Sequence, residues 1–418
     1  MYEVSGTVVV CFTIIYLLFY KKSIAVNHQN CCKQLLKVIK YSESERYRNI
    51  AYKSRHFVKG VKLMEIKQIS IFKEFKCIAK ECPINCCSNI WKIPIDPDMY
   101  TKYLNEKGLW GLLLRCLTVK RRGIATFRNT FRGCPFWGAD HLCSIQKKHG
   151  TSYMPVVCIQ FPRQLYNLKF FCEETLFLAC PEAARLFLAS AAGNKPFEFT
   201  VTEGSISYEV NTTNDDREFL DYLLKARDEL IMMLESGISF DSMAILHYGQ
   251  DSQNACLGKT PLPSPLDYES REHYQMTCEK IDNWLFNGFF HPRLRTISPL
   301  LYQLCRKYIR KFGFQGRRNP CAAAKKLSVL QESLYAKMPD LEIISNRYYE
   351  YFLLSDFLDI YEDYSFSKHL LFGIAKTHLL RLFIALYAED REAIDPREIA
   401  TVMAVYERRA QQIFSSIS

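Results

Sequence analysis

The sequence predicts an α+β chain: a cysteine-rich metal-binding domain followed by a mainly α-helical domain. Three observations carry that expectation. Ten of the 17 cysteines fall between Cys77 and Cys180. Across the same quarter of the chain, short aromatic and branched runs alternate with proline-punctuated loops, the pattern of short strands and turns. From about residue 214 onward, apolar residues recur at the 3.6-residue period of amphipathic helices. At 418 residues and 48% hydrophobic, the chain can bury a large core. The expected division is an N-terminal apolar segment and basic linker (1–63), the cysteine domain (64–212) and the helical domain (213–418).

The N-terminal segment holds the run Val8 to Tyr20 (VVVCFTIIYLLFY), closed by Lys21-Lys22. Counted from Val4 it is 17 residues long, at the lower edge of what crosses a bilayer. Glu3 stands where a signal peptide wants a basic residue, so a cleavable leader is not expected. Two readings remain. One is a short membrane anchor, with the lysines favouring their side staying cytoplasmic. The other is an upstream-extended start, because Met64 (MEIKQISIFKEF) is a natural-looking beginning for the cysteine domain. Residues 28–62 carry Lys33, Lys37, Lys40, Arg46, Arg48, Lys53 and Arg55 and read as a linker or amphipathic helix near an anionic surface. Cys31-Cys32 has no further thiol nearby.

In the cysteine domain, Ile69 to Phe75 alternates weakly and reads as a strand leading into the first cysteine loop. That loop is Cys77-Ile-Ala-Lys-Glu-Cys82-Pro-Ile-Asn-Cys86-Cys87, four thiols in 11 residues. Pro83, Pro94 and Pro97 argue against a long helix after it. Asp96-Pro97-Asp98 offers a helix start, with a capping carboxylate and a proline at the first helical position. Ala125 to Phe131 and Tyr166 to Leu178 read as strands. Pro181 behind Cys180 starts an Ala/Leu helix, which places the Cys180 thiol near a positive helix end that favours a thiolate. Phe197 to Val210 reads as a hairpin centred on Glu203-Gly204.

In the helical domain, Asp215-Asp216 open an amphipathic helix that stops at Gly237. Further helices are expected near 269–287, 295–312, 319–337, 340–362, 366–388 and 395–414, with a loop over 250–266 marked by Pro261, Pro263 and Pro265. No internal repeat or low-complexity tract stands out.

Clustered thiols need a physical reason. A disulfide framework belongs to small secreted domains that cannot build a core. Four converging thiolates are how both structural zinc and cubane iron–sulfur clusters are held. The first loop, with spacings of four and three, is not a clean zinc ribbon, so the metal stays open on spacing alone. The candidate ligands are Cys77, Cys82, Cys86, Cys87, Cys134, Cys143, Cys158 and Cys180. Cys116, Cys172, Cys256, Cys278, Cys305 and Cys321 read as buried small hydrophobes.

The same elements carry a resemblance. The Cys86-Cys87 doublet before Trp91-Lys-Ile-Pro-Ile-Asp96, Cys134-Pro-Phe, Leu142-Cys143-Ser-Ile-Gln, Cys158 with Phe161-Pro-Arg163, and Cys180-Pro-Glu-Ala-Ala-Arg185 stand in order. Together they resemble the flagellin lysine-N-methylase family, part of a bacterial group with a C-x-x-C-x-x-C-C signature. The resemblance covers residues about 64 to 190, and the chain departs from it in the wider spacing of its first loop. It implies methyl transfer from S-adenosylmethionine to lysine ε-amines of flagellin, with an iron–sulfur cluster, 4Fe-4S in type, and a cytoplasmic enzyme that the apolar run would associate with the membrane.

No Gly-x-Gly-x-x-Gly motif supports an ordinary Rossmann cofactor pocket, and the C-x₃-C-x₂-C spacing of radical enzymes is absent. Arg163 is the candidate cofactor contact; its alternative is a donor to cluster sulfurs or a surface ion pair. His141 reads as a solvated loop histidine rather than a ligand. Trp91 reads as packing over the cluster. Tyr348-Tyr349-Glu-Tyr351-Phe352 could line a lysine channel, with a buried stripe as the ordinary explanation. The net charge of +11 favours acidic partners or anionic lipid, but no nucleic-acid module is present, so a nucleic-acid role is not expected. The competing reading is a non-enzymatic module stapled by zinc or a cluster; a redox or metal-handling protein is a third.

Overall fold

The computed structural model describes residues 63–87, 92–130, 133–205, 210, 212–240, 294–312, 320–364 and 366–417. The apolar run at Val8–Tyr20, the loop at 250–266 and the helix near 269–287 lie outside them. The described chain is α+β.

Strand β1 (Leu63–Ile69) starts the fold and is followed by a 3₁₀ turn at Ser70–Phe72, where a strand through Phe75 was expected. β1 lies at the interior of a four-stranded sheet with β5 (Arg163–Asn167), β6 (Phe171–Leu176) and β7 (Phe199–Ser205), in the order β5-β6-β1-β7. β1 pairs parallel with β6 and antiparallel with β7. The expected single strand over Tyr166 to Leu178 is a hairpin. Asn167 Oδ1 accepts from the Lys169 N–H at 3.0 Å, and Lys169 adopts φ +70, an Asx turn that reverses the chain. The expected hairpin at Glu203-Gly204 is instead mid-strand, with Glu203 opposite Glu65 and Gly204 opposite Met64. A Cβ at Gly204 would lie 2.7 Å from Cδ1 of Ile66, so a larger residue there would require that side-chain end to shift.

All six residues of β6 are buried, including Glu173 and Glu174. Glu173 is neutralised by a two-pronged ion pair with buried Arg227, at 2.7 and 2.9 Å. Arg227 comes from α6 (Arg217–Glu235), which Asp216 caps by accepting from Phe219 N–H.

A second sheet, β2 (Pro94–Ile95), β4 (Ile124–Phe127) and β3 (Thr118–Arg121), has β4 in the centre. With α1 (Pro97–Asn105), α2 (Gly108–Leu117), α3 (Ser144–His149) and α4 (Val156–Gln160), it builds a small lobe. The lobe has its own core of Ile95, Tyr103, Leu114, Ala125, Phe127, Cys134, Phe136, Ile145 and Met154, against which Cys87, Cys143 and Cys158 pack.

α5 (Pro181–Ala192) begins right after Cys180, as the proline placement predicts, and buries both its Ala and its Leu/Phe faces. It packs within one core with α8 (Pro299–Phe312), α9 (Pro320–Lys337), α10 (Leu341–Ser355), α12 (Phe366–Ala388) and α13 (Pro396–Ile417). The short helices α7 (Leu294–Ile297) and α11 (Ile360–Asp363) complete the series, so the stretch expected as one helix over 340–362 is broken after Ser355. The Tyr348–Phe352 run is a buried stripe: Tyr348, Tyr349, Tyr351 and Phe352 are all core residues. Gly373 lets α12 lie against α10, since a Cβ there would sit 2.3 Å from the Phe352 ring.

Candidate cysteine centre

Local chemistry shapes each of the four cysteine elements. In the first loop, the Cys82 thiol donates to the Ile84 carbonyl at 3.1 Å. Asn85 then organises the doublet. Its Oδ1 accepts from the Cys87 N–H at 2.9 Å, and its Nδ2 donates to the His141 carbonyl at 2.7 Å. One side chain therefore turns the first loop and ties it to the second.

The second element runs from Cys134 to Cys143. Cys134 N–H donates to the Cys87 carbonyl at 2.9 Å, and Gly138 N–H to Leu142 O at 2.9 Å. A bridge between Trp137 and Cys143 closes the loop, and Cys143 caps α3. Asp140 pairs with Lys147, which holds its carboxyl below the usual range. His141 is an exposed loop residue with its ring against Trp137, as its reading as a solvated histidine predicts.

The third element is α4, which carries Cys158. Asp96 positions it. Oδ1 of Asp96 accepts from Met99 N–H at 3.0 Å, the expected cap of α1, while Oδ2 accepts from Val156 N–H at 3.0 Å at the start of α4. The fourth element is Cys180, at the N-cap of α5.

These elements bring all eight candidate thiols into one unbroken series of neighbours. Cys77, Cys86 and Cys180 lie beside Cys82. The Cys86 thiol interacts with that of Cys87, and the Cys87 thiol with that of Cys134. Cys143 lies beside both Cys87 and Cys158, and Cys158 lies beside Cys86. All eight are free thiols, so no disulfide framework joins them. The other described cysteines stand apart: Cys172 and Cys305 are buried, as expected, whereas Cys116 is exposed. Cys116 was expected inside; the opposite face of α2, with Gly111 and Leu114, is the one that faces the core.

Five of the thiols, Cys82, Cys86, Cys87, Cys158 and Cys180, are pushed toward their protonated form. The interaction with Cys87, then burial, pushes the Cys86 thiol well up. The interaction with Cys134 and burial raise Cys87, and burial raises Cys82 and Cys158. The helix-end effect expected at Cys180 is present, as the Ala183 and Glu182 N–H groups lower its pKa, but burial outweighs them and pushes it up to about 12. Among the described residues, no group of three or more His, Cys, Asp or Glu side chains is placed to hold a metal ion.

Sequence reasoning missed Arg408. It projects from α13 into the cysteine loops, buried, and its guanidinium donates to three backbone carbonyls. Nε reaches Ala179 O, Nη1 reaches Asn85 O and Nη2 reaches Ile84 O, each at 3.0 Å. The charge lies beside Cys86, Cys82, Cys180 and Cys87. Burial lowers its pKa, and the neighbouring thiols work in the opposite direction. No local signal separates Arg408 from Arg409; the contact depends on residues more than 300 positions away. Next to it, Glu407 faces the other way, 3.1 Å from buried Lys376 and hydrogen-bonded by Tyr348.

Arg163, the candidate cofactor contact, begins β5 and lies over the Phe72 and Phe75 rings, at 5.7 and 5.1 Å, with Nη2 3.4 Å from Phe75 O. That placement is at the base of the first cysteine loop. Trp91 lies outside the described residues.

Comparison with known proteins gives partial, distant similarity. The chain is 27% identical over 146 residues to the flagellar biosynthetic protein FliU of Salmonella muenchen, a match covering 32% of this chain and 86% of that protein. It is 26% identical over 153 residues to the lysine-N-methylases of Salmonella typhimurium and Salmonella choleraesuis, covering 35% of this chain. The match spans 37% of the length of those methylases. No family model and no solved structure matches. The chain is thus similar, over about a third of its length, to proteins named for lysine methylation and for flagellar biosynthesis.

Proposed function

We propose that this chain is a protein lysine N-methyltransferase that uses S-adenosylmethionine, acts on flagellin, and carries an iron–sulfur cluster on its cysteine centre. The observation that carries the reading is the gathering of eight thiols, spread over 104 residues of sequence, into one neighbourhood. The distant lysine-N-methylases support the reaction class, and the flagellar relative supports the substrate.

The residue types suit a cluster or zinc, both of which are held by thiolates, and the described thiols would have to converge further to close such a site. Cys82, Cys86, Cys87 and Cys180 would hold it on the side of Arg408, with Cys77 next to Cys82, and Cys134, Cys143 and Cys158 on the side of the small lobe. A bound cluster would supply an iron able to anchor the cofactor or pass electrons. Arg408 places a positive charge where thiolate charge would build up, and Asn85 and Asp96 fix the loops that present the sulfurs. The acceptor lysine must lose its proton before it can attack the methyl group, since only the neutral amine is a nucleophile.

A second reading, a zinc- or cluster-stapled binding module, is favoured by one feature: the described residues of the small lobe form a small core of nine buried side chains, where a metal staple would add stability. One experiment separates the two. Anaerobically purified full chain is analysed for metal and acid-labile sulfide, then incubated with flagellin and methyl-labelled S-adenosylmethionine. Iron with sulfide, and label on flagellin lysines, is the expected result. Zinc without sulfide and without methyl transfer would overturn the enzyme in favour of the staple.

A further inference from the structure

Helix α2 is apolar on the wrong side. Its inner face is accounted for by Gly111, Leu114 and Trp110, whose ring packs on Phe136 at 6.0 Å. Its outer face is Leu109, Leu112, Leu113 and Cys116, the i, i+3, i+4, i+7 spacing of a single stripe, and all four are exposed. Leu109 is 87% exposed and Leu112 53%. Water alone does not select such a stripe, and contiguous apolar surface of this kind marks a docking site.

The charge around the stripe says what docks. From Lys107 to Gly123 the chain has five bases and no carboxylate: Lys107, Arg115, Lys120, Arg121 and Arg122, every one exposed. The last three sit at the tip of the β3–β4 hairpin, which turns with positive φ at Arg122 (49°) and Gly123 (86°). Exposed leucines with exposed bases on the same helix and on the hairpin that directly follows it match the chemistry of an anionic bilayer, apolar contact and headgroup charge together. A second copy of the chain is disfavoured, because a two-fold contact would set these bases against their own copies. The sequence points independently to the same partner, with the apolar run from Val4 to Tyr20 followed by Lys21-Lys22 and a basic tract. We propose that the α2 leucine stripe and the β3–β4 tip form a docking surface for an anionic lipid bilayer. The proposal goes beyond the methyltransferase reading and stands or falls without it.

The test is amide hydrogen exchange on the full chain, with vesicles of phosphatidylcholine alone or containing about a quarter phosphatidylglycerol. Exchange over residues 107–123 is expected to slow with anionic vesicles only, and to recover in high salt (about 0.5 M), where screening is short-ranged. Replacing the exposed leucines (L109Q/L112Q/L113Q) should abolish that slowing. Removing two bases (R121Q/R122Q) should weaken it about thirtyfold in vesicle concentration, at roughly 1 kcal/mol per base. Because these side chains are exposed, both variants should keep the wild-type circular dichroism; if the leucine variant does not, the arginine variant decides. Unchanged exchange in this segment with vesicle-bound chain would overturn the proposal. So would slowing without vesicles as protein concentration rises, or slowing by acidic proteins but not by lipid.

Discussion

Replacing Arg408 with methionine tests how the cysteine centre is assembled. The substitution keeps an unbranched apolar stem of similar reach and removes the three bonds to Ala179, Asn85 and Ile84. Three carbonyls, that of Ala179 buried and those of Ile84 and Asn85 partly buried, then lack that donor, at a low-end cost of about 1 kcal/mol each. Relief from burying a guanidinium returns part of this, leaving about 2 kcal/mol, or roughly thirtyfold in an equilibrium constant. The loss should fall on the first cysteine loop, because the rest of α13 buries Ile399, Met403, Tyr406 and Ala410 in the main core. Two readouts follow on the full chain. Cobalt(II), titrated through its thiolate charge-transfer bands, should bind about thirtyfold more weakly. Without metal, Cys82 and Cys86 should react faster with a thiol reagent, while buried Cys305 keeps its rate. Arg408→Lys retains the charge and should recover part of the cobalt affinity. Equal cobalt affinity and equal thiol reactivity in Arg408→Met would refute the idea that the C-terminal helix clamps the loops.

Other perturbations reach different parts of the site. Asp96→Ala removes two helix-end bonds and should destabilise the small lobe by about 2 kcal/mol in thermal unfolding, whereas Asp96→Asn, with one acceptor oxygen, should lose about half as much; equal melting of Asp96→Ala and wild type would reject the double cap. Cys82→Ser or Cys86→Ser should cut bound metal sharply, while Cys116→Ser, on the outer face of α2, should leave it unchanged; full metal in both loop variants would remove them as ligands. The metal-free chain should lose stability as pH rises above 9. Burial pushes Cys172, Cys180 and Cys305 up to about 12 from 9.0, so the unfolded chain binds fewer protons in that window, and each thiol can cost up to about 1.4 kcal/mol per pH unit. Urea unfolding just below and above pH 9 checks the sign, and Cys305→Ala should flatten the slope.

Much of this chain was legible wherever the controlling chemistry is local. Asp96 before Pro97 and Asp216 before α6 each mark a helix start, because a cap and its N–H partner lie within three residues, and Pro181 marks the start behind Cys180 because its ring suits the first helical position. The eight cysteines stood out as candidates through their spacing, and spacing leaves open what they hold. Local reading failed where a distant partner decides. Glu203-Gly204 looks like a turn, but pairing with β1 makes it strand, Glu203 opposite Glu65 and Gly204 opposite Met64. Cys180 sits where a helix end favours a thiolate, yet burial beneath the fold outweighs that field. Nothing in the sequence distinguishes Arg408 from its neighbour. Only when α13 packs on α5 does its guanidinium reach carbonyls 229, 323 and 324 positions away. Sequence by itself determined which residues could build the centre, because caps and turns act over a few bonds. Tertiary structure decided which of them meet, because burial and long-range hydrogen bonds exist only once the chain has closed.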